Sequence, residues 1–290
     1  MKNKNKQLIS ILLLTLVSVM IIVGISAYRG ITELVVTKYR IVSDVSEPLR
    51  IVQLTDLHSV VYGGDNSELA TLVAEQEPDL IFLTGDMLSG SDNGPEVVCA
   101  LIPQLTSIAP VYYGYGNHEI QWENRTGKLL EPMLTEAGAT VVNCSYVDVT
   151  LKGQALRIGG YYGYWRQPHM FRVTPEQKEA EFAFFEAYED TDRLKLLLCH
   201  IPTTWLDWGY IDKFPVDVVF SGHYHGGQIR IPGIGGLYAP YVGWFPEYTR
   251  GLYEGKYASC VLSAGVDTEN WLPRINNLPE IVVLDMIPQT

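Results

Sequence analysis

Five short apolar runs, each ending in residues that can hold a metal ion, constrain this chain more than any other feature of its sequence. Residues 49–54 lead into Thr55-Asp56-Leu57-His58, and 79–84 into Gly85-Asp86. Residues 111–115 lead into Gly116-Asn117-His118-Glu119, 194–199 directly into His200, and 216–220 into Gly222-His223-Tyr224-His225-Gly226-Gly227-Gln228. Short apolar runs bounded by such residues read as buried strands. Helical patterns alternate with them: 67–76 behind Asp65 and Asn66, 96–107 behind Pro95, and 128–137 closed by Gly138. A fourth, 174–188, opens Thr174-Pro175-Glu176-Gln177, an N-cap, a first-turn proline and a capping-box glutamine. Strands alternating with helices predict an α/β architecture with mixed sheets. The tail adds expected strands at 257–264 and 280–286. Active sites in such sheets gather just beyond the strand ends. Five of the six histidines lie there, and the sixth, His169, is read as part of a loop.

The donors at these ends are imidazoles, carboxylates and one amide oxygen, without a thiolate in any motif. That set suits Mn, Fe or Zn in an open hydrolytic site better than a structural zinc site. Asp56 and His58 are two apart, so in extended chain they would face the same way and share one ion. An ionised carboxylate can bridge two cations, a role that Asp86 is placed to fill. Glycines 85, 116 and 222 permit tight turns beside a bound ion. Seven candidate ligands (Asp56, His58, Asp86, Asn117, His200, His223 and His225) exceed what one tetrahedral ion needs and imply two divalent ions. Gly114-Tyr115-Gly116 is not read as a nucleotide loop, because a third glycine and a following helix are lacking.

Taken in order, Asp-x-His, Gly-Asp, Gly-Asn-His-Glu, an isolated His and Gly-His-x-His resemble the calcineurin-like metallophosphoesterases over residues 49–228. The apolar N-terminal segment, the Gly-His-x-His-Gly-Gly-Gln ending and the tail from Leu272-Pro273-Arg274-Ile275 to Pro279-Glu280-Ile281 resemble its membrane-anchored, YkuE-like bacterial branch. The resemblance implies a four-layer α-β-β-α sandwich with mixed sheets. It places Asp56, His58 and His225 around one metal, Asn117, His200 and His223 around the other, and Asp86 between them. It also implies that His118 assists the leaving group rather than binding metal, while a metal-bound hydroxide attacks phosphorus in line. Tyr224 stands where the family usually has a small residue, so it is expected to line the substrate entrance, with Gln228 beside it. Two aromatic clusters sit in glycine-rich settings: Tyr161, Tyr162, Tyr164 and Trp165, then Tyr241, Trp244, Phe245 and Tyr248. Trp165 and Trp244 are read either as walls that stack on a nucleobase, sugar or lipid-linked headgroup, or as ordinary packing.

Residues 8–27 carry no charge, and as a helix span about 30 Å, the thickness of a bilayer's hydrocarbon core. Lys2, Lys4 and Lys6 precede the stretch, so the positive-inside rule puts the N-terminus in the cytoplasm and the remainder outside. A cleavable signal peptide, with Ile25-Ser26-Ala27 as a marginal cleavage site, is the competing reading. The expected organisation is a cytoplasmic tail and transmembrane anchor over 1–27, then one catalytic domain over 28–290. A balance of 33 acidic against 21 basic residues, −12 overall, argues against a nucleic-acid partner and against loose adhesion to an anionic membrane. Bound dications would reverse that sign locally for an anionic phosphoester. Cys99, Cys144, Cys199 and Cys260 could form two disulfides or act as small buried hydrophobes. The leading expectation is a membrane-tethered phosphodiesterase facing outward, acting on a small, lipid-linked or wall-linked phosphoester. Its alternatives are a pyrophosphatase cleaving a lipid-nucleotide such as a UDP-acylglucosamine, and a metal-binding scaffold without catalysis.

Overall fold

The structure is a computed structural model that describes residues 2–161, 163, 175–268 and 272–289. Helix α1 (Lys2–Thr32) leads into β1 (Val35–Ser43) and β2 (Leu49–Leu54), followed by α2 (Ser67–Ala74), β3 (Leu80–Thr84), α3 (Glu96–Thr106) and β4 (Val111–Gly114). Next come α4 (Asn117–Thr126), α5 (Glu131–Ala137), β5 (Thr140–Val142), β6 (Ser145–Leu151), β7 (Gln154–Gly160), α6 (Pro175–Glu189), β8 (Leu194–Leu198) and β9 (Val218–Ser221). Two small hairpins follow, β10 (Arg230–Ile231) with β11 (Gly235–Gly236) and β12 (Tyr238–Ala239) with β13 (Gly243–Trp244). The chain closes with β14 (Gly251–Glu254), β15 (Ser259–Leu262) and β16 (Glu280–Pro288).

Two six-stranded sheets form, ordered β1-β16-β2-β3-β4-β5 and β14-β15-β9-β8-β7-β6. Both are mixed. Strands β2 to β5 run parallel while β16 opposes β2, and β7, β8, β9 and β15 run parallel while β6 and β14 oppose their neighbours. Strand periodicity explains the layering. Phe82, Leu196, Leu198 and Phe220 point between the sheets with Ile51 and Leu284. Val52, Ile81 and Leu83 point outward beneath α2, α3 and α5, against Leu69, Leu101 and Leu134. Leu197, Val219 and Cys260 point the opposite way, beneath Phe185 and Tyr188 of α6. Apolar surface on both faces of both sheets therefore demands a helical cover on each side, the α-β-β-α order expected from the resemblance. Each of these fully buried aliphatic or aromatic side chains contributes about 1.5–3 kcal/mol.

The parallel strands bring the C-terminal ends of β2, β3, β4, β8 and β9 to one rim. Gln53 ties the two sheets there, its Nε2 donating to Thr84 Oγ1 at 2.8 Å and to the Ser221 carbonyl at 2.9 Å. Several expected bounds move. The helix expected over 128–137 begins only at Glu131, because α4, missed in the polar stretch Asn117–Thr126, occupies the preceding chain until left-handed Gly127 ends it. Asn66 caps no amide of α2 with its side chain, which instead accepts the Tyr62 amide at 2.9 Å. The expected cap at Thr174 lies outside the described residues. Helix α1 continues unbroken past residue 27, and its end touches the domain: the Asn276 amide donates to Ser26 Oγ at 2.6 Å. A Cβ on Gly30 would stand 2.6 Å from the Arg274 carbonyl oxygen, so only glycine lets the helix approach this closely. No disulfide joins the four cysteines; Cys199 and Cys260 are buried, and burial pushes the Cys199 thiol up to about 12.

Candidate metal centre

At the shared rim the chain turns sharply after each strand. Asp56, His58, Asp86, His223 and His225 all adopt left-handed backbone, with φ between 47° and 70°. Such angles cost energy for side-chain-bearing residues and persist only where the surroundings impose them. Here the Asp56 and His58 amides donate to the carbonyls of Gly85 and Asp86, each at 3.0 Å, and the His223 amide donates to both Asp56 carboxylate oxygens at 3.1 Å. Asp56 and His58 thus converge through left-handed turns, not through the extended backbone expected from their spacing. The glycines matter for closeness: a Cβ on Gly222 would collide with Asp56, and one on Gly116 with Asp86.

Three groups of ligand atoms result, each lying within 4.8 Å of one another: Asp56, His58 and His225; His58, Asp86 and His118; Asp86, His200 and His223. Among the described residues, four buried polar atoms without a hydrogen-bond partner belong here: His58 Nε2, Asn117 Oδ1, His200 Nε2 and His223 Nε2. Leaving buried polar atoms unpaired costs about 1–3 kcal/mol each, and their meeting around two carboxylates makes a group that could hold a cation. Orientation agrees. His200 Nδ1 lies 2.9 Å from the Thr84 carbonyl, which only accepts, so Nε2 turns towards Asp86 Oδ2, 3.0 Å away. Burial opposes charge on His200, but Asp86 and Asp56 outweigh it and push its pKa up to about 10. Burial would likewise raise Asp86, yet His200, His118 and His58 hold it well below the usual carboxylate range. Burial, followed by the charge of His200, holds His223 far below its ordinary value. Negative charge gathered against imidazoles in this way favours a cation, and the imidazole, carboxylate and amide donors suit a divalent one.

A profile described as calcineurin-like phosphoesterase matches residues 49–227. The chain belongs to the calcineurin-like phosphoesterase family. It is similar to phosphodiesterase YaeI of Escherichia coli, 26% identical over 261 residues and covering 89% of each chain. It is also similar to the uncharacterized metallophosphoesterase YkuE of Bacillus subtilis, 27% identical over 248 residues, covering 82% of this chain and 78% of that one. Among solved structures, a 5'-nucleotidase precursor from Thermus thermophilus matches with a TM-score of 0.46 at 14% identity, over 83% of this chain and 54% of that one. The protein is therefore a metal-dependent phosphoester hydrolase. A scaffold without catalysis is set aside.

Within this calcineurin-like phosphoesterase, two groups escaped the sequence reading. Glu119, buried at the third position of α4, accepts the amides of Asp86, Met87 and Gly116 at 2.8, 2.9 and 2.7 Å, and the Tyr113 hydroxyl at 2.7 Å. One carboxylate thereby welds the end of β3 to the start of α4, and the His118 amide completes the joint by donating to Asp86 Oδ1 at 2.8 Å. A helix does follow Gly116, contrary to expectation. Asp267 is the second group. It lies 2.9 Å from His225 Nδ1 and is itself held by Arg274, whose Nη2 donates to Asp267 Oδ1 and whose Nε donates to the Asp267 carbonyl at 2.9 Å. A carboxylate behind a ligating histidine fixes its ring and raises its basicity. Asp267 follows β15, itself parallel to β9, so the rule that located the other donors applies once more.

Two expected substrate residues are buried instead. Tyr224 is fully buried, its hydroxyl donating to Asp207 Oδ2 at 2.7 Å and lying 2.6 Å from Thr203 Oγ1, so it packs behind the centre and lines no entrance. Gln228 is buried as well, donating to the Leu272 carbonyl. Trp244 is exposed and stacks edge-on with Tyr238, whereas the ring lying flat on His223, at 5.5 Å, is that of Tyr241. Trp165 and His169 lie outside the described residues.

Proposed function

We propose that this phosphoesterase is a two-metal phosphodiesterase, anchored by α1, whose substrate is a small, lipid-linked or wall-linked phosphodiester outside the cytoplasmic membrane. The observation that carries it is the meeting of four unpartnered donor atoms beside His118. In this reading Asp56, His58 and His225 hold one ion, Asn117, His200 and His223 the other, and Asp86 is shared. Bound dications supply Lewis acidity and lower the pKa of a bound water. His118 is set to give a proton: the Gly90 amide donates to its Nδ1 at 2.9 Å, which leaves the proton on Nε2, on the side of Asp86. The ring is 31% exposed, so a departing oxygen can reach it. Asp267 keeps His225 oriented, and Glu119 keeps Asp86 and the first turn of α4 in register. Similarity to a relative named as a phosphodiesterase supports the diester.

Hydrolysis of an aryl phosphodiester by the full chain should stop with chelator and return with Mn²⁺. Activity surviving in an Asp86→Asn, His223→Ala double variant would refute the centre. The side of the membrane is read by labelling exposed Cys144 with an impermeant maleimide in intact cells; protection there would turn the domain inward, as a lipid-nucleotide pyrophosphatase requires.

A further inference from the structure

The two small hairpins that follow β9 present an apolar surface that nothing in the phosphoesterase reaction requires. Ile234 is 65% exposed, Trp244 69%, and Tyr241 and Phe245 56% each, with Tyr238 and Val242 partly exposed beside them. Residues 229–246 contain one charged side chain, Arg230, although the whole chain carries 33 acidic and 21 basic ones. Tyr241 and Phe245 hold left-handed backbone, φ 64° and 55°, a costly conformation for bulky residues that the fold must impose. Contiguous exposed apolar surface of this kind marks an interaction site.

The base of this surface is joined to the end of α1. Asn276 Nδ2 donates to the Arg230 carbonyl at 3.1 Å, while its amide donates to Ser26 Oγ at 2.6 Å. One residue therefore links the first hairpin to the apolar helix. Helix α1 exposes Leu12, Leu16, Val19 and Ile22 along its length, so the bilayer that accommodates it begins next to Ser26. Tryptophan and tyrosine beside aliphatic side chains are the residues that settle at a membrane–water interface. The acidic remainder of the domain would be repelled from anionic lipid, but residues 229–246 carry no acid.

We infer that the paired hairpins seat in the surface of the same bilayer that α1 crosses, with Ile234, Trp244 and Phe245 in contact with lipid. This rests on α1 acting as a retained membrane anchor. Because Tyr241 belongs to the surface and lies flat on His223, the seat brings the metal centre to the headgroup layer. The domain is then held at two points, helix and hairpins, in place of swinging on one.

The test uses the full chain in phosphatidylcholine vesicles, with ordinary or brominated acyl chains, because bromine quenches tryptophan that touches lipid. Helix α1 contains no tryptophan, so all quenching arises in the domain. Brominated lipid should reduce the emission of the natural chain, and Trp244→Phe should remove the greater part of that loss. Phe245→Trp should enlarge it. Replacing part of the lipid with phosphatidylglycerol should change neither result, since the contact is apolar. Flotation with the vesicles at high salt reports the anchor separately. A chain that fails to float refutes the anchor, whereas one that floats with quenching unaltered by Trp244→Phe and Phe245→Trp overturns the seat. Unaltered quenching with cross-linking between copies through this surface would assign it to a second copy of the chain and equally overturn the seat.

Discussion

The two ends of the same strands carry opposite chemistry. At the starting rim charges pair with one another within the protein. Arg50 Nε meets Asp285 Oδ1 at 2.7 Å and its Nη2 meets Oδ2 at 3.3 Å, while Asp79 accepts the Arg50 amide at 2.8 Å and lies 2.6 Å from Lys152 Nζ. Asp217 accepts the Lys195 amide at 2.7 Å. At the finishing rim, imidazole and amide atoms of equal polarity are buried without a partner. Both rims would stand out in a census of charged residues. Only the second is unfinished, and that distinguishes a site from a seam: internal pairing consumes polar groups, and catalysis needs them kept open.

The contrast can be broken at either end. His118→Ala should lower turnover by about 10²–10⁴-fold, the range for losing a general acid, with metal content by mass spectrometry unchanged; loss of metal would make His118 a ligand. Asp267→Asn should weaken metal binding by about 10–100-fold, with activity recovering at high Mn²⁺ in a titration. On the opposite rim, Asp285→Asn should cost only about 0–1 kcal/mol by urea unfolding and leave kcat/KM intact. The smallest effect concerns pH. Burial holds Asp217 above the usual carboxylate range, so the folded state favours its protonated form. The resulting penalty is absent below the unfolded pKa of about 4 and grows as pH rises through the folded value. Asp217→Asn should remove that slope from the unfolding free energy while leaving activity untouched.

Hydrophobic pattern located the central strands well because each is buried on both faces: residues 49–54 match β2 to the residue, and their ends marked the rim. Helix α4 escaped because its sequence, Asn117 to Thr126, is polar and buries only Glu119 and Trp122. Its start is held by Glu119 rather than by an apolar stripe. The convergence of Asp56 with His58 was anticipated, but by a mechanism that left-handed φ values rule out. Periodicity describes regular backbone and says nothing of turns imposed by neighbours. Tyr224 shows the same limit. Standing where the family usually has a small residue made it look like part of the entrance, yet the turn that brings His223 and His225 forward sends the ring between them back into the core. Asp267 and Arg274 are far from the other motifs in sequence, and only the parallel pairing of β15 with β9 brings Asp267 to the rim.

The close fit of Gly30 against Arg274 changes how a shortened chain should be regarded. Arg274 braces Asp267, and Asp267 braces His225, so the last turns of α1 act as a wedge behind His225. A chain beginning at residue 28 keeps Gly30 but lacks Ser26, and the Asn276 amide then loses its acceptor. Such a fragment is an enzyme with its wedge partly withdrawn, and the ratio of its metal affinity to that of the full chain measures how far α1 reaches into the chemistry.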